Sequence, residues 1–162
     1  MEAQDRIVVF LAEFDYQVKQ INTMYTRLET KVSAIEKQTV TAEAVESAGY
    51  WMHNLYCAFE DLFKLVAGFW ENSLSVDGEF HVQLLKRMLL SIEGVRPALL
   101  SEVSYKFLNE LRGFRHVFRH AYSYGLDDER VSTLLRKILG HKGPVNKDIN
   151  KFRKIIAGYL EP

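Results

Sequence analysis

Apolar side chains recur along the first segment at alternating spacings of four and three: Ile7, Leu11, Phe14, Val18, Ile21, Tyr25, Leu28, Val32 and Ile35. A heptad stripe of this kind lies on one helical face, and Gln, Lys, Glu and Thr fill much of the remainder. It predicts one long amphipathic helix over about residues 3–37. The stripe serves either packing inside a bundle or the pairing of two chains. A polar link containing Thr39 and Thr41, each a suitable N-cap, leads to a second helix over about 42–70. That helix is apolar around most of its circumference and rich in aromatics (Tyr50, Trp51, Tyr56, Phe59, Phe63, Phe69, Trp70), which predicts a central position.

Residues 71–80 read as a loop. A shorter helix follows, with Val82, Leu85, Leu89 and Ile92 on its inner face, and Gly94 and Pro97 end it. Ser101 can cap the next helix, which carries Tyr105, Leu108, Leu111, Phe114, Phe118 and Tyr122. Gly125 marks a break, and Asp127-Asp128 a fresh N-terminus, where carboxylates meet the positive end of the helix dipole. Val131, Leu134, Leu135 and Ile138 line that helix, and the Gly140–Pro144 stretch is expected to stop it. A terminal amphipathic helix carries Ile149, Phe152, Ile156 and Tyr159. No segment alternates with the two-residue period of a strand. The expected fold is all-α: a single domain over residues 1–162, an antiparallel bundle of four main helices with short satellite helices.

Composition agrees with an ordinary globular chain, 48% apolar and 26% charged. The start is acidic and polar, unlike a secretory signal, and no apolar stretch reaches the roughly 18 residues needed to span a bilayer. The one cysteine, Cys57, sits among apolar neighbours and reads as a buried thiol. These features predict a cytoplasmic protein without membrane contact. Zero net charge hides an asymmetry: residues 1–80 carry 6 basic against 13 acidic side chains, residues 81–162 carry 15 against 8. The basic half suits either a phosphate backbone or complementarity with the acidic half, within the bundle or between subunits.

Five histidines invite a metal hypothesis, but none of His53, His81, His116, His120 or His141 has a Glu three residues before it, as di-metal bundles require. There is no His-Glu-x-x-His, and a single cysteine builds no thiolate site. His116 and His120 share a face as a half-site without an evident acidic third ligand. No metal or cofactor is expected.

The chemistry concentrates between Leu111 and Tyr122. Phe114, Val117 and Phe118 point to the core, so Arg112, Arg115, His116, Arg119, His120 and Tyr122 occupy the remaining face. At about 100° per residue, Arg115 and Tyr122 lie within roughly 20° of one another, whereas Arg115 and His120 diverge by about 140°. A guanidinium fork matches phosphate oxygens, and an imidazole can take a proton from an RNA 2′-hydroxyl or give one to a leaving oxygen. On the residues alone, surface ion pairs and polar filling account for the run better than catalysis does.

The spacing Arg115-x4-His120-x-Tyr122 resembles the Arg-x4-His-x-Tyr motif of HepT toxins, a branch of the HEPN superfamily, and His116 fits that family's polar residue after the arginine. The stretches 53–60, 78–81 and Arg96-Pro97 also look HepT-like, and the resemblance reaches roughly from residue 5 to 135. It implies a HEPN-like homodimer whose Arg115 and His120 meet across the subunit seam as a metal-independent endoribonuclease site, with His116 and Arg119 in support. It implies a toxin acting on RNA, transfer RNA being the family's usual target. It also implies an antitoxin of the MNT-type nucleotidyltransferase class that transfers AMP to Tyr122. Two alternatives stand beside it: a non-catalytic HEPN-type module that holds a nucleotidyltransferase, and a helical protein that dimerises through the first stripe.

Overall fold

A computed structural model describes residues 2–37, 39–71, 79–121 and 125–161. Among them run six helices: α1 (Ala3–Glu29), α2 (Val32–Ile35), α3 (Ala42–Glu71), α4 (Phe80–Arg87), α5 (Glu102–Arg119) and α6 (Asp128–Gly158). The fold is an all-α bundle in which α1, α3, α5 and α6 are the main members and α2 and α4 are satellites.

Cross-helix pairs fix the directions. Phe10 meets Phe69 and Trp70, Gln17 bonds the Ala58 carbonyl, and Arg27 lies over Trp51, so α1 and α3 run antiparallel. Asp15 pairs with Arg153 and Glu29 with Lys142, so α1 and α6 are antiparallel too. Ser101 bonds Asp148, Phe107 stacks on His141, and Glu110 pairs with Lys137, giving the same relation for α5 and α6. The four long helices therefore alternate up and down. Two of these ion pairs join acidic α1 to basic α6, so part of the charge asymmetry is complementarity within the bundle.

The heptad stripe turns inward. Ile21, Tyr25 and Leu28 are fully enclosed, packed against α3 and α6 within one chain. It does not run as one helix to residue 37. At Thr30 the side-chain hydroxyl bonds the Arg27 carbonyl, and the Lys31 N–H shifts to the Leu28 carbonyl, so the helix tightens, breaks and restarts as the single turn α2. The second helix matches its expected span, and Thr41 caps it by accepting the Ala44 N–H. The central position expected for it holds: Met52, Leu55, Phe59, Leu62, Phe63 and Val66 are all fully buried.

Two further expectations need correction. The third helix is shorter than its apolar pattern implied, ending at Arg87. Its buried positions are Leu84 and Leu85, its C-cap Met88 is buried beyond it, and Ile92 instead bridges Arg96 across a turn in which Gly94 takes φ +72°. The loop expected at 71–80 lies mostly outside the described residues. The Gly140–Pro144 stretch does not stop a helix: α6 passes straight through it. Ile138, Val145, Ile149, Phe152 and Ile156 continue one buried stripe in helical phase, and that packing outweighs the N–H missing at Pro144, on the exposed side. The caps at Ser101 and Asp127 form as expected, the latter accepting the N–H groups of Glu129 and Arg130.

Candidate active site

The last two turns of α5 bring their polar side chains out on two sides. Phe114 is buried, and Phe118 is half-buried against the N-terminal half of α3. Gly49 makes that approach possible: a Cβ there would lie 3.3 Å from the Phe118 ring and 2.5 Å from the Leu126 Cδ1. One turn along α3, His53 stacks on Phe118 with ring centroids 5.1 Å apart.

Arg115 lies on this α3-facing side. Its Nη1 is 3.4 Å from His81 Nε2, and His81 Nδ1 is 2.6 Å from a Glu60 carboxylate oxygen. The other Glu60 oxygen is 3.4 Å from Lys64 Nζ. A carboxylate only accepts and a guanidinium only donates, so the chain of contacts assigns the His81 tautomer: Nδ1–H donates to Glu60, and the Nε2 lone pair accepts from Arg115. Glu60 is 4% exposed, whereas the His81 side chain is 38% exposed and open to a ligand.

Buried polar atoms without a protein partner surround the same spot: Arg115 Nε, His53 Nδ1 and the Tyr56 hydroxyl. Burial lowers the His53 pKa from its ordinary value, and the charges of Arg115 and Arg119 lower it further. Burial likewise pushes the Tyr56 phenol well above its usual range. Both rings are therefore neutral beside the arginines. The Cys57 thiol, half-buried, faces His53 Nε2 at 3.7 Å.

His116 and His120 occupy the other side. Their rings lie 4.2 Å apart, and His120 Nδ1 donates to the His116 carbonyl at 2.8 Å. That bond occupies Nδ1 and leaves Nε2 as the ring atom free to meet a substrate. His120 is the exposed C-cap of α5, and Arg119 is exposed beside it. The helix thus brings His116 and His120 together and turns Arg115 to a different set of neighbours. Tyr122 lies outside the described residues.

Glu60 and His81 carry no site role in the sequence reading. They stand 21 residues apart and 55 and 34 residues before Arg115, so no local spacing links them. One signal was available: a carboxylate at position 60 that shares its stretch of α3 with Phe59, Leu62 and Phe63 and has to find a partner when buried. Among the described residues, no group of three or more His, Cys, Asp or Glu could hold a metal ion, and no helix is long and apolar enough to cross a membrane.

A family model described as HepT-like protein matches residues 47–156. The match begins in the second turn of α3 and runs nearly to the end of α6, so it contains every residue of the cluster. It starts later and ends later than the span of about 5–135 over which the sequence itself resembled that family. Comparison with curated proteins finds no match, and comparison with solved structures finds none.

Proposed function

The chain belongs to the HepT-like family of the HEPN superfamily, and from that premise we propose that it is the metal-independent endoribonuclease toxin of a HEPN/MNT toxin–antitoxin pair. HepT-like proteins are HEPN-type toxin modules, generally paired with nucleotidyltransferase antitoxins. In this reading Arg115 binds the scissile phosphate and stabilises the charge that builds on it. His120 transfers a proton, and His116 and Arg119 support the two. The RNA supplies its own nucleophile, the 2′-hydroxyl, which attacks the adjacent phosphorus to leave a 2′,3′-cyclic phosphate and a free 5′-hydroxyl. The observation that carries the proposal is the placement of Arg115: a guanidinium half-buried beside neutral rings, with its Nε unpaired, is a charge poised for an anion.

Two copies of the chain complete the site. Arg115 and His120 of one helix face apart, and a two-fold seam lets the His120 of one subunit approach the Arg115 of the other. RNA, transfer RNA in the family's usual case, is the substrate. The antitoxin adds AMP to Tyr122, seven residues after Arg115 in the sequence, and the added phosphate would compete with RNA for the arginine.

The test is cleavage of total RNA by the purified protein in EDTA, with His120→Ala and Arg115→Ala expected to abolish it while leaving the fold intact. Co-expression with the partner nucleotidyltransferase should add about 329 Da per AMP, mapped to Tyr122. No cleavage by the unmodified wild type on any RNA class refutes the reading. A stable partner complex without cleavage would then favour the non-catalytic module.

A further inference from the structure

The reaction needs two proton transfers, one from the attacking 2′-hydroxyl and one to the departing 5′-oxygen, and one histidine cannot readily do both in a single step. We propose that His81, oriented by Glu60, is the proton acceptor. The inference rests on the ribonuclease reading above and extends it to a residue outside the motif.

Three observations carry it. The Glu60–His81 contact, at 2.6 Å, has the form of a carboxylate-oriented imidazole: the buried acid fixes the Nδ1–H tautomer, so the basic lone pair sits on Nε2. That Nε2 faces the Arg115 guanidinium at 3.4 Å, the long end of a hydrogen bond. The side chain is open enough for substrate, whereas Glu60 is enclosed and held on its other oxygen by Lys64. In the free protein Arg115 covers the lone pair. An RNA phosphate, being anionic, is a stronger acceptor for the guanidinium than a neutral imidazole is. Its binding therefore draws Arg115 away and exposes Nε2 next to the phosphate, where the neighbouring ribose carries its 2′-hydroxyl. The proton passes from the 2′-oxygen to Nε2 while the 2′-oxygen–phosphorus bond forms. The phosphorus–5′-oxygen bond breaks, and protonated His120 supplies the proton that oxygen takes. The imidazolium formed at His81 is stabilised by the Glu60 carboxylate.

Leaving-group chemistry separates the two histidines. The substrates are an RNA oligonucleotide with one scissile linkage and its analogue in which the 5′-oxygen is sulfur, a leaving group that needs no proton. For the normal oligonucleotide, His81→Ala and His81→Gln should each lower kcat by about 10²–10⁴-fold, and Glu60→Gln by less. Affinity for a 2′-O-methyl RNA, which cannot react, should change no more than about twofold across these variants. On the thio analogue His120→Ala should recover most of its lost rate, and the His81 variants should not. Two results overturn the inference: near wild-type rates for His81→Gln, which would make His81 a holder of Arg115 only, or rescue of His81→Ala by the thio analogue. A wild type that cleaves neither substrate overturns the ribonuclease reading itself and takes this inference with it.

Discussion

The Arg96 guanidinium bonds the Glu71 carboxylate at the end of α3 through both Nε and Nη2, and it does so with none of its side chain exposed. Its remaining N–H groups go to the carbonyls of Arg87, Leu90 and Pro97 at 3.0, 2.9 and 3.2 Å. Five donors therefore meet acceptors, which is the condition under which a buried cation is tolerated. The pair ties the 87–100 segment to α3, and that segment carries the chain from His81 on α4 to Arg115 on α5.

Arg96→Met should consequently behave as the loss of one partner of a buried ion pair. Glu71 keeps Arg87, at 3.0 Å, and three carbonyls each lose a donor, that of Arg87 retaining the Leu90 N–H. A cost of about 3–5 kcal/mol is expected, equivalent to a fall in Tm on the order of 10 °C for a chain of this size. Calorimetric melting checks it, and a shift under about 2 °C would show that the 87–100 segment is held by other contacts.

His53 makes stability depend on pH. Its folded pKa lies below the unfolded value near 6.5, because burial and then Arg115 and Arg119 disfavour the charged ring. The folded state thus binds that proton less readily than the unfolded state. Its contribution is intact above the unfolded value and is lost as pH falls through 6.5 toward the folded pKa. His53→Phe keeps a ring on Phe118 and removes both the titration and the unpaired Nδ1. Melting temperatures of variant and wild type should diverge as the buffer goes from pH 8 to pH 5, the variant being higher at the acid end. Parallel curves across that range would contradict the assignment.

The bundle was legible because burial writes a 3.6-residue period: every main helix shows it, and Thr41, Ser101 and Asp127 mark three of the starts. Breaks were harder to see. The interruption at Thr30 depends on one hydroxyl choosing a backbone carbonyl, and no apolar pattern records that choice. At the site, helical geometry alone separated Arg115 from His120 and paired His116 with His120, since both relations are local to one helix. Glu60 and His81 stayed hidden because their meeting with Arg115 is tertiary: it requires α3, α4 and α5 to be packed first.

Gly49 tests how far the site depends on that packing. Alanine there asks the tip of Leu126 to turn aside and the Phe118 ring, 3.3 Å from the added Cβ, to yield by a few tenths of an ångström, and the gain in helix propensity of about 1 kcal/mol opposes the crowding. Gly49→Ala should therefore alter stability by no more than about 1 kcal/mol. Gly49→Leu has to displace Phe118, which carries the His53 stack and the final turn of α5. It should cost about 1–3 kcal/mol and lower RNA cleavage well beyond the alanine variant. Denaturant melts alongside initial rates measure both, and a leucine variant with wild-type rates would separate the Phe118 packing from the chemistry.

Pro144 gives the sharpest test of why α6 stays whole. The proline has no N–H for the Gly140 carbonyl, and its ring crowds that carbonyl, a penalty of about 3 kcal/mol inside an ordinary helix. Gly140, Gly143 and Pro144 are all exposed, so water can satisfy the orphaned carbonyl, while Ile138 and Val145 on the opposite side are fully buried. If packing of that stripe holds the helix together against a local defect, removing the defect should stabilise the protein. Pro144→Ala is expected to raise stability by about 1–3 kcal/mol, and Val145→Ala to lower it by about 1–3 kcal/mol through the lost side chain and the cavity it leaves. Amide exchange should show protection across residues 140–146 rising in Pro144→Ala. A destabilised Pro144→Ala would mean that the proline is itself required to seat Val145 and Ile149 in the core.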